Sequence, residues 1–230
     1  MTKNSKIAIV ITAAGSSTRM GGGKKEYLPF KNGTVLSVCA GTFYKACHKN
    51  FQITDFIITC PQNGKEKCQE VLKADKEIDF PLSIVEGGSS RQESVFKGLL
   101  AIKGKPELVL IHDGARPFVS EELIQKGIEL AFEYGASVPG LTPVETQKRI
   151  NSQGIIEEHL VRSSLVSVQT PQTFNYEKLL QAHKAAAHEN KEYTDDTEVW
   201  AKYNKPGLVK VYPGDVNNIK ITYPADLEKL

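Results

Sequence analysis

A set of small residues and cations follows the first apolar run of the chain: Ala13-Ala14-Gly15-Ser16-Ser17, then Arg19, three glycines, and the pair Lys24-Lys25. Small side chains let backbone N–H groups approach an anion, while Arg19, Lys24 and Lys25 supply the charge that a triphosphate needs. The wording of the stretch excludes two familiar phosphate loops. No Gly-Lys-Ser/Thr closes it, and no G-x-G-x-x-G follows the strand. Taken alone it also reads as a basic surface loop.

A second candidate is Gly87-Gly88-Ser89-Ser90-Arg91-Gln92-Glu93-Ser94. Ser90 followed three residues later by Glu93 is a capping box, so a helix starts here with the glycine pair just ahead of its N-terminus. Bare backbone could meet a ligand there, with Ser89, Arg91 and Ser94 as polar readers; a plain glycine turn would read the same way. The third is Asp113, in His112-Asp113-Gly114-Ala115-Arg116-Pro117 at the end of an apolar run. In an open parallel sheet, ligands sit beyond the carboxyl ends of the strands, so this aspartate either holds a divalent cation or caps the next turn. His112 is read as a structural hydrogen-bonding residue, and Trp200 as a core or helix-face residue.

The elements that must position these groups alternate between strand and helix. Ile7 to Ile11 is largely β-branched without polar alternation, a strand buried on both faces near the centre of a parallel sheet. Helices are expected over Thr34 to Cys47, Lys65 to Ala74, Ser90 to Ile102, Ser120 to Tyr134, and Tyr176 to Ala187. A further one opens at Thr194-Asp195-Asp196, and a terminal one at Pro224. Strands are expected at 55–60, 82–85, 107–111, 136–141, 168–174 and 208–212. Between 142 and 169 the alternation falters, and 148–150 with 160–162 around a turn at 151–154 read as a hairpin leaving the main sheet. Such a hairpin has no core of its own and is expected to pack on something else, such as a second subunit.

The 230 residues, 40% hydrophobic and 24% charged, suit one α/β domain with a sizeable core. A net charge of +2 argues against a polyanion-binding surface. Cys39, Cys47, Cys60 and Cys68 are spaced by eight, thirteen and eight residues, which matches neither a zinc pattern nor a disulfide framework. Reduced thiols, with no apolar stretch of signal or membrane-spanning length, lead to the expectation of a cytoplasmic protein without membrane or nucleic-acid partners.

Together the segments AAGSSTRMG, KKEYL, GGSSRQESV, HDGARP, ETQKR, VRSSL, QTPQTF, TDD and NNIKIT-P-DL resemble, in order and spacing, the 2-C-methyl-D-erythritol 4-phosphate cytidylyltransferases of the non-mevalonate isoprenoid pathway. The D-ribitol-5-phosphate cytidylyltransferases share most of the first half and are the alternative. A nucleotide-binding regulatory protein without catalysis is an alternative of another class, and a nicotinamide-dependent oxidoreductase lacks its glycine pattern here.

The resemblance implies a Rossmann-like α/β fold of the nucleotide-diphospho-sugar transferase type, with a mostly parallel sheet flanked by helices and a protruding β-arm at about 141–168. It implies that Ala13, Ala14, Gly15, Gly88, Ser89, Ser94 and Gly114 surround CTP, and that Arg19, Lys25 and Lys220 are catalytic cations. Asp113 would serve the substrate and a Mg²⁺ ion, with Arg116, Thr170 and Thr194 around the sugar-alcohol phosphate. Thr146 and Arg162 would lie on the arm and reach a partner's active site in a homodimer. Four positions depart from the pattern: Glu26 replaces a frequent Gln, Ser89 a frequent acid, Glu145 a common Asp, and Gly114 a common Ala.

Overall fold

The computed structural model describes residues 5–16, 23–73 and 80–229. Its first strand, β1 (Lys6–Thr12), is buried along Ile7 to Ile11. The residues alternate between two layers, as a period of two requires. Ile7, Ile9 and Ile11 belong to one core, and Ala8 and Val10 to the other. Truncating Ile9 to alanine would therefore cost about 2–5 kcal/mol.

A short ribbon of β2 (Pro29–Phe30) and β3 (Gly33–Thr34) leads into α1 (Val35–Cys47), whose N-cap Thr34 forms a full capping box with Ser37. Then follow β4 (Gln52–Cys60), α2 (Lys65–Lys73), β5 (Ser83–Glu86), α3 (Arg91–Leu100), β6 (Leu108–Asp113) and α4 (Glu121–Tyr134). The C-terminal part comprises β7 (Ala136–Leu141), β8 (Lys148–Ile150), β9 (Ile156–His159), β10 (Ser167–Val168) and β11 (Gln172–Asn175), then α5 (Tyr176–His188), α6 (Asp196–Tyr203) and β12 (Lys210–Pro213). Pro224–Lys229 is a 3₁₀ turn rather than an α-helix.

The main sheet runs β10-β7-β11-β6-β1-β4-β5, with β12 on β7. Strands β6, β1, β4 and β5 are mutually parallel, while β11 runs antiparallel between β6 and β7. The α/β expectation is thus met. Register pairs Thr12 with Asp113, so the loops after β1, β5 and β6 open at one edge of the sheet. Two close approaches hold that edge together. A Cβ on Gly98 would press on Val10, so α3 lies hard against β1, and a Cβ on Gly87 would overlap Ala14 and Ser94.

The arm departs from expectation in register. Its return strand is Ile156–His159, not 160–162, because Asn151 tightens the turn. Its side-chain oxygen accepts from the amides of Gln153 and Ile155, and Gly154 takes a φ of 79°. That turn brings His159 opposite Lys148.

Candidate active site

A cavity of about 390 Å³ lies beyond the carboxyl ends of β1, β5 and β6. One side is the loop after β1, contributing Ala14, Gly15 and Ser16. Lys24 donates to the Gly15 carbonyl and ties that loop to the following segment. Lys25, although 8% exposed, lines the cavity beside Glu26. The two lysines therefore divide the work expected of them. Glu26 is more deeply buried still, and burial raises its carboxyl above the ordinary value against the pull of Lys25, Lys24 and Lys220.

The opposite wall is Gly88, Ser89, Ser90 and Ser94. Ser90 caps α3 by accepting from the Glu93 amide at 3.2 Å. The reciprocal half of the expected capping box is displaced by one residue: Glu93 Oε2 accepts from the Ser89 amide at 2.7 Å and the Ser89 hydroxyl at 2.8 Å. Gly88 permits this, since a Cβ there would overlap the Glu93 side chain. Ser94 braces the same loop, accepting from the Gly88 amide at 3.0 Å and donating to the Ser90 carbonyl at 2.8 Å.

The floor is Asp113, where three cations converge. Arg91 Nε is 3.2 Å from Oδ1, while Lys220 Nζ and Arg116 Nε are 2.9 and 3.4 Å from Oδ2. Burial by itself would raise this carboxyl, but Arg91, Lys220 and Arg116 outweigh it and hold it well below the ordinary range. Arg91 also donates to the buried Asp196 at 2.7 Å, and Asp196 pairs with His183 at 3.1 Å. A carboxylate with three cations at one end of a small-residue cavity is suited to an anionic ligand with several phosphates.

Lys220 is placed there by a segment without regular structure. Ile221 donates its amide to Ala115 O at 2.9 Å, Arg116 Nη1 donates to Asn218 O at 2.8 Å, and the buried Asn218 side-chain Nδ2 donates to Thr170 O at 2.9 Å.

The family model described as 2-C-methyl-D-erythritol 4-phosphate cytidylyltransferase matches residues 7–229. Proteins of that name from Clostridium novyi and Clostridium botulinum (strain Loch Maree) are 40% and 39% identical, over 97% of this chain and 94% and 95% of theirs. The 4-diphosphocytidyl-2C-methyl-D-erythritol synthase structure from Anaerococcus prevotii superposes with a TM-score of 0.83 at 28% identity, covering 98% of this chain and 94% of that one. The Thermus thermophilus 2-C-methyl-D-erythritol 4-phosphate cytidylyltransferase gives 0.72 at 28%, over 97% and 96%.

The chain belongs to the 2-C-methyl-D-erythritol 4-phosphate cytidylyltransferase family.

As a member of this cytidylyltransferase family the chain is an enzyme of the nucleotidyltransferase type with the matching fold. Of the residues expected at the site, Ala14, Gly15, Lys25, Gly88, Ser89, Ser94, Asp113 and Lys220 line one cavity. Arg19 lies outside the described residues. Ala13 and Gly114 sit behind the wall: Ala13 is in the core, and the Gly114 amide donates to Thr12 O at 2.9 Å. A Cβ on Gly114 would stand 3.1 Å from both Leu36 and the Thr12 carbonyl, so the packing here is closed up around glycine.

Arg116 and Thr170 act on the floor from outside the cavity lining. Thr170 Oγ1 accepts from the Asp113 amide at 3.1 Å and lies 2.9 Å from His112 Nδ1. Thr194 is spent on helix capping, its amide and hydroxyl both donating to Glu198 at 3.0 Å, and it does not line the cavity. Thr146 and Arg162 are exposed on the arm, where Arg162 Nη1 donates to Val144 O at 2.7 Å. Sequence reasoning passed over the bridging role of Arg91; its position in the first turn of α3, facing two carboxylates far away in the chain, was the available signal.

Proposed function

We propose that this enzyme transfers CMP from CTP to 2-C-methyl-D-erythritol 4-phosphate, releasing pyrophosphate and 4-diphosphocytidyl-2-C-methyl-D-erythritol. The observation that carries this reading is the convergence of Arg91, Arg116 and Lys220 on Asp113 in a cavity that also holds Lys25. A phosphate oxygen of the acceptor attacks the α-phosphorus of CTP. The new P–O bond forms as the bond to the β-phosphate bridging oxygen breaks, and that electron pair leaves with pyrophosphate.

No general base is needed, because the second pKa of a phosphate monoester is about 6 and the nucleophile is already ionised. His112 has no part in proton transfer: burial lowers it to about 3, and both its ring nitrogens lie against fixed partners. The barrier is electrostatic, since two anions meet and charge grows on the leaving group. Lys25 and Lys220 counter that charge from fixed positions, which is worth more than the same cations in water.

Mg²⁺ would be carried mainly by the nucleotide, because Asp113 already faces Arg91, Arg116 and Lys220. The carboxylates at the cavity are Asp113 and Glu26, and no cluster of three metal-ligating side chains exists among the described residues. Mg²⁺ commonly binds through one or two carboxylates plus substrate phosphates. Asp113 is the residue that would hold it, and the ion would neutralise part of the triphosphate charge.

The arm supports a homodimer. Val144, Ile150, Ile156 and Val161 are exposed along a ribbon that lies outside both main cores, and a two-stranded ribbon is marginally stable alone. Mixing Lys25→Ala with Arg162→Ala subunits should restore activity if the arm completes a neighbouring site, and no restoration would place the whole site in one chain. A cytoplasmic location is favoured by four free, buried cysteines. No helix among the described residues is long and apolar enough to cross a membrane.

The assignment is tested by pyrophosphate release with CTP and Mg²⁺, offering 2-C-methyl-D-erythritol 4-phosphate and D-ribitol 5-phosphate separately. Release with the first alone is expected. Release with the second alone would move the enzyme to polyol-phosphate chemistry, and silence with both would return it to a nucleotide-binding protein without catalysis.

A further inference from the structure

On the wall that Gly88, Ser89, Ser90 and Ser94 form, the protons of Gly88, Ser89, Ser94 and the adjoining Gly87 point at acceptors within the protein. The Gly87 amide donates to Cys60 O at 2.8 Å, the Gly88 amide to Ser94 Oγ, and the Ser89 amide to Glu93 Oε2. The Ser94 hydroxyl donates to Ser90 O, and the Ser89 hydroxyl to Glu93 Oε2. A carbonyl or carboxylate oxygen can only accept, so these assignments follow from chemistry. What the two serines turn toward the cavity is lone pairs.

We propose that Glu93, which does not line the cavity, sets the choice of pyrimidine by fixing the Ser89 proton, so that Ser89 Oγ meets the base as an acceptor. This rests on the reading of the cavity as a nucleoside triphosphate site with the base against this wall. Cytosine carries an amino donor at position 4, whereas uracil carries an oxygen acceptor there. Ser89 Oγ, its proton held by Glu93, pairs with the first and offers the second only a lone pair. A serine free to rotate would serve either base, and so would not discriminate.

Glu93 is suited to the task. Its carboxyl is held down to about 2 by the Ser89 amide first, then by the Ser89 hydroxyl and Lys97, so it stays an acceptor at every working pH. Lys97 Nζ lies 3.1 Å from Glu93 Oε1 and donates to Gly87 O at 3.1 Å, which ties the carboxylate to the loop it orients. Both contacts to Ser89 use Oε2, leaving Oε1 to Lys97. Glu93 thereby does through a serine what an acidic side chain at position 89 would do directly.

The test is the ratio of kcat/KM for CTP to that for UTP, with 2-C-methyl-D-erythritol 4-phosphate and Mg²⁺, in wild type, Glu93→Ala, Glu93→Gln, Ser89→Ala and the Glu93→Ala/Ser89→Ala double variant. The ratio should fall roughly tenfold in Glu93→Ala and in Ser89→Ala, the size of one lost oriented hydrogen bond. The double variant should fall no further, and Glu93→Gln, whose amide oxygen still accepts from Ser89, should stay within about threefold of wild type. Glu93→Ala with the wild-type ratio, or losses that multiply in the double variant, would overturn the proposal. For variants too slow to assay, the same ratio is read from the dissociation constants of CTP and UTP. A wild type that binds neither nucleotide would overturn the site reading itself, an outcome distinct from an unchanged ratio in an active enzyme.

Discussion

Lys220 Nζ stands 2.9 Å from Asp113 Oδ2, and the contact joins an irregular C-terminal segment to the end of a central strand. The carboxylate keeps Arg91 and Arg116 when Lys220 is removed. Lys220→Ala should therefore fold, with a thermal midpoint within about 4 °C of wild type, as for loss of one partly exposed pair. Its kcat should fall about 10²- to 10³-fold, because a fixed cation is lost where charge develops. Steady-state pyrophosphate release with calorimetry checks this, and a kcat within threefold of wild type would remove Lys220 from the chemistry.

Asp113→Asn is the opposite experiment, leaving three cations without their shared anion. Unfolding free energy should drop by about 3 kcal/mol at pH 7, the loss typical of breaking a buried pair from one side. The sign with pH follows from the depressed carboxyl. A group whose folded pKa is lowered contributes stability above its unfolded value of about 3.9, and that contribution is lost as pH falls further. The gap between wild type and Asp113→Asn in urea unfolding should thus be flat from pH 7 to about 5 and shrink below about 4.

These contacts mark where sequence legibility stopped. β1 could be read from its β-branched run, α1 from the helical spacing of its apolar residues, α3 from its cap, and the Gly87-Gly88 approach from the missing side chains, because each signal is local. Composition and spacing gave the cavity residues at 14–15, 88–89 and 113 only as separate motifs, and the family resemblance was what joined them with 220 in one site. The pairing of Lys220 with Asp113 depends on amide and carbonyl contacts of residues 115, 170, 218 and 221, which have no periodicity to read. The displaced half of the Ser90 cap was illegible for a related reason: Glu93 chose between two adjacent amides, and the room above Gly88 decided it. The resemblance puts Thr194 around the sugar-alcohol phosphate, while the contact of its hydroxyl with the Glu198 carboxylate one turn on has no such signal in the sequence.

Arg91 Nη1 donates to Asp196 while its Nε donates to Asp113, so one guanidinium spans two buried carboxylates. Lysine is a point charge and cannot make this bridge. Arg91→Lys should lose about 3 kcal/mol of stability, since the buried Asp196, whose other partner is His183, loses its guanidinium, while Asp113 keeps Arg116 and Lys220. It should also lower kcat. Chemical denaturation and pyrophosphate release on the same sample test the point, and an unchanged unfolding midpoint would refute the bridging role.

His112 and Thr170 form a relay whose proton positions are determined by its ends. The Arg116 carbonyl, 3.2 Å from His112 Nε2, can only accept, so Nε2 carries the proton. Nδ1 then accepts from the Thr170 hydroxyl, whose oxygen in turn accepts from the Asp113 amide. Thr170→Val breaks both contacts and should cost about 2–3 kcal/mol, as two buried groups lose partners. Burial keeps this ring neutral, lowering its pKa to about 3. Between that value and the unfolded value of about 6.5 the unfolded chain binds a proton that the folded chain does not. Stability from this group is therefore fully present above about pH 6.5 and is lost as pH falls toward 3. His112→Asn should be less stable than wild type at pH 7 but should lose stability less steeply between pH 6.5 and 4. Nitrogen-15 spectra of the wild-type ring should show the Nε2–H form at pH 6, and a charged ring at that pH would contradict the relay.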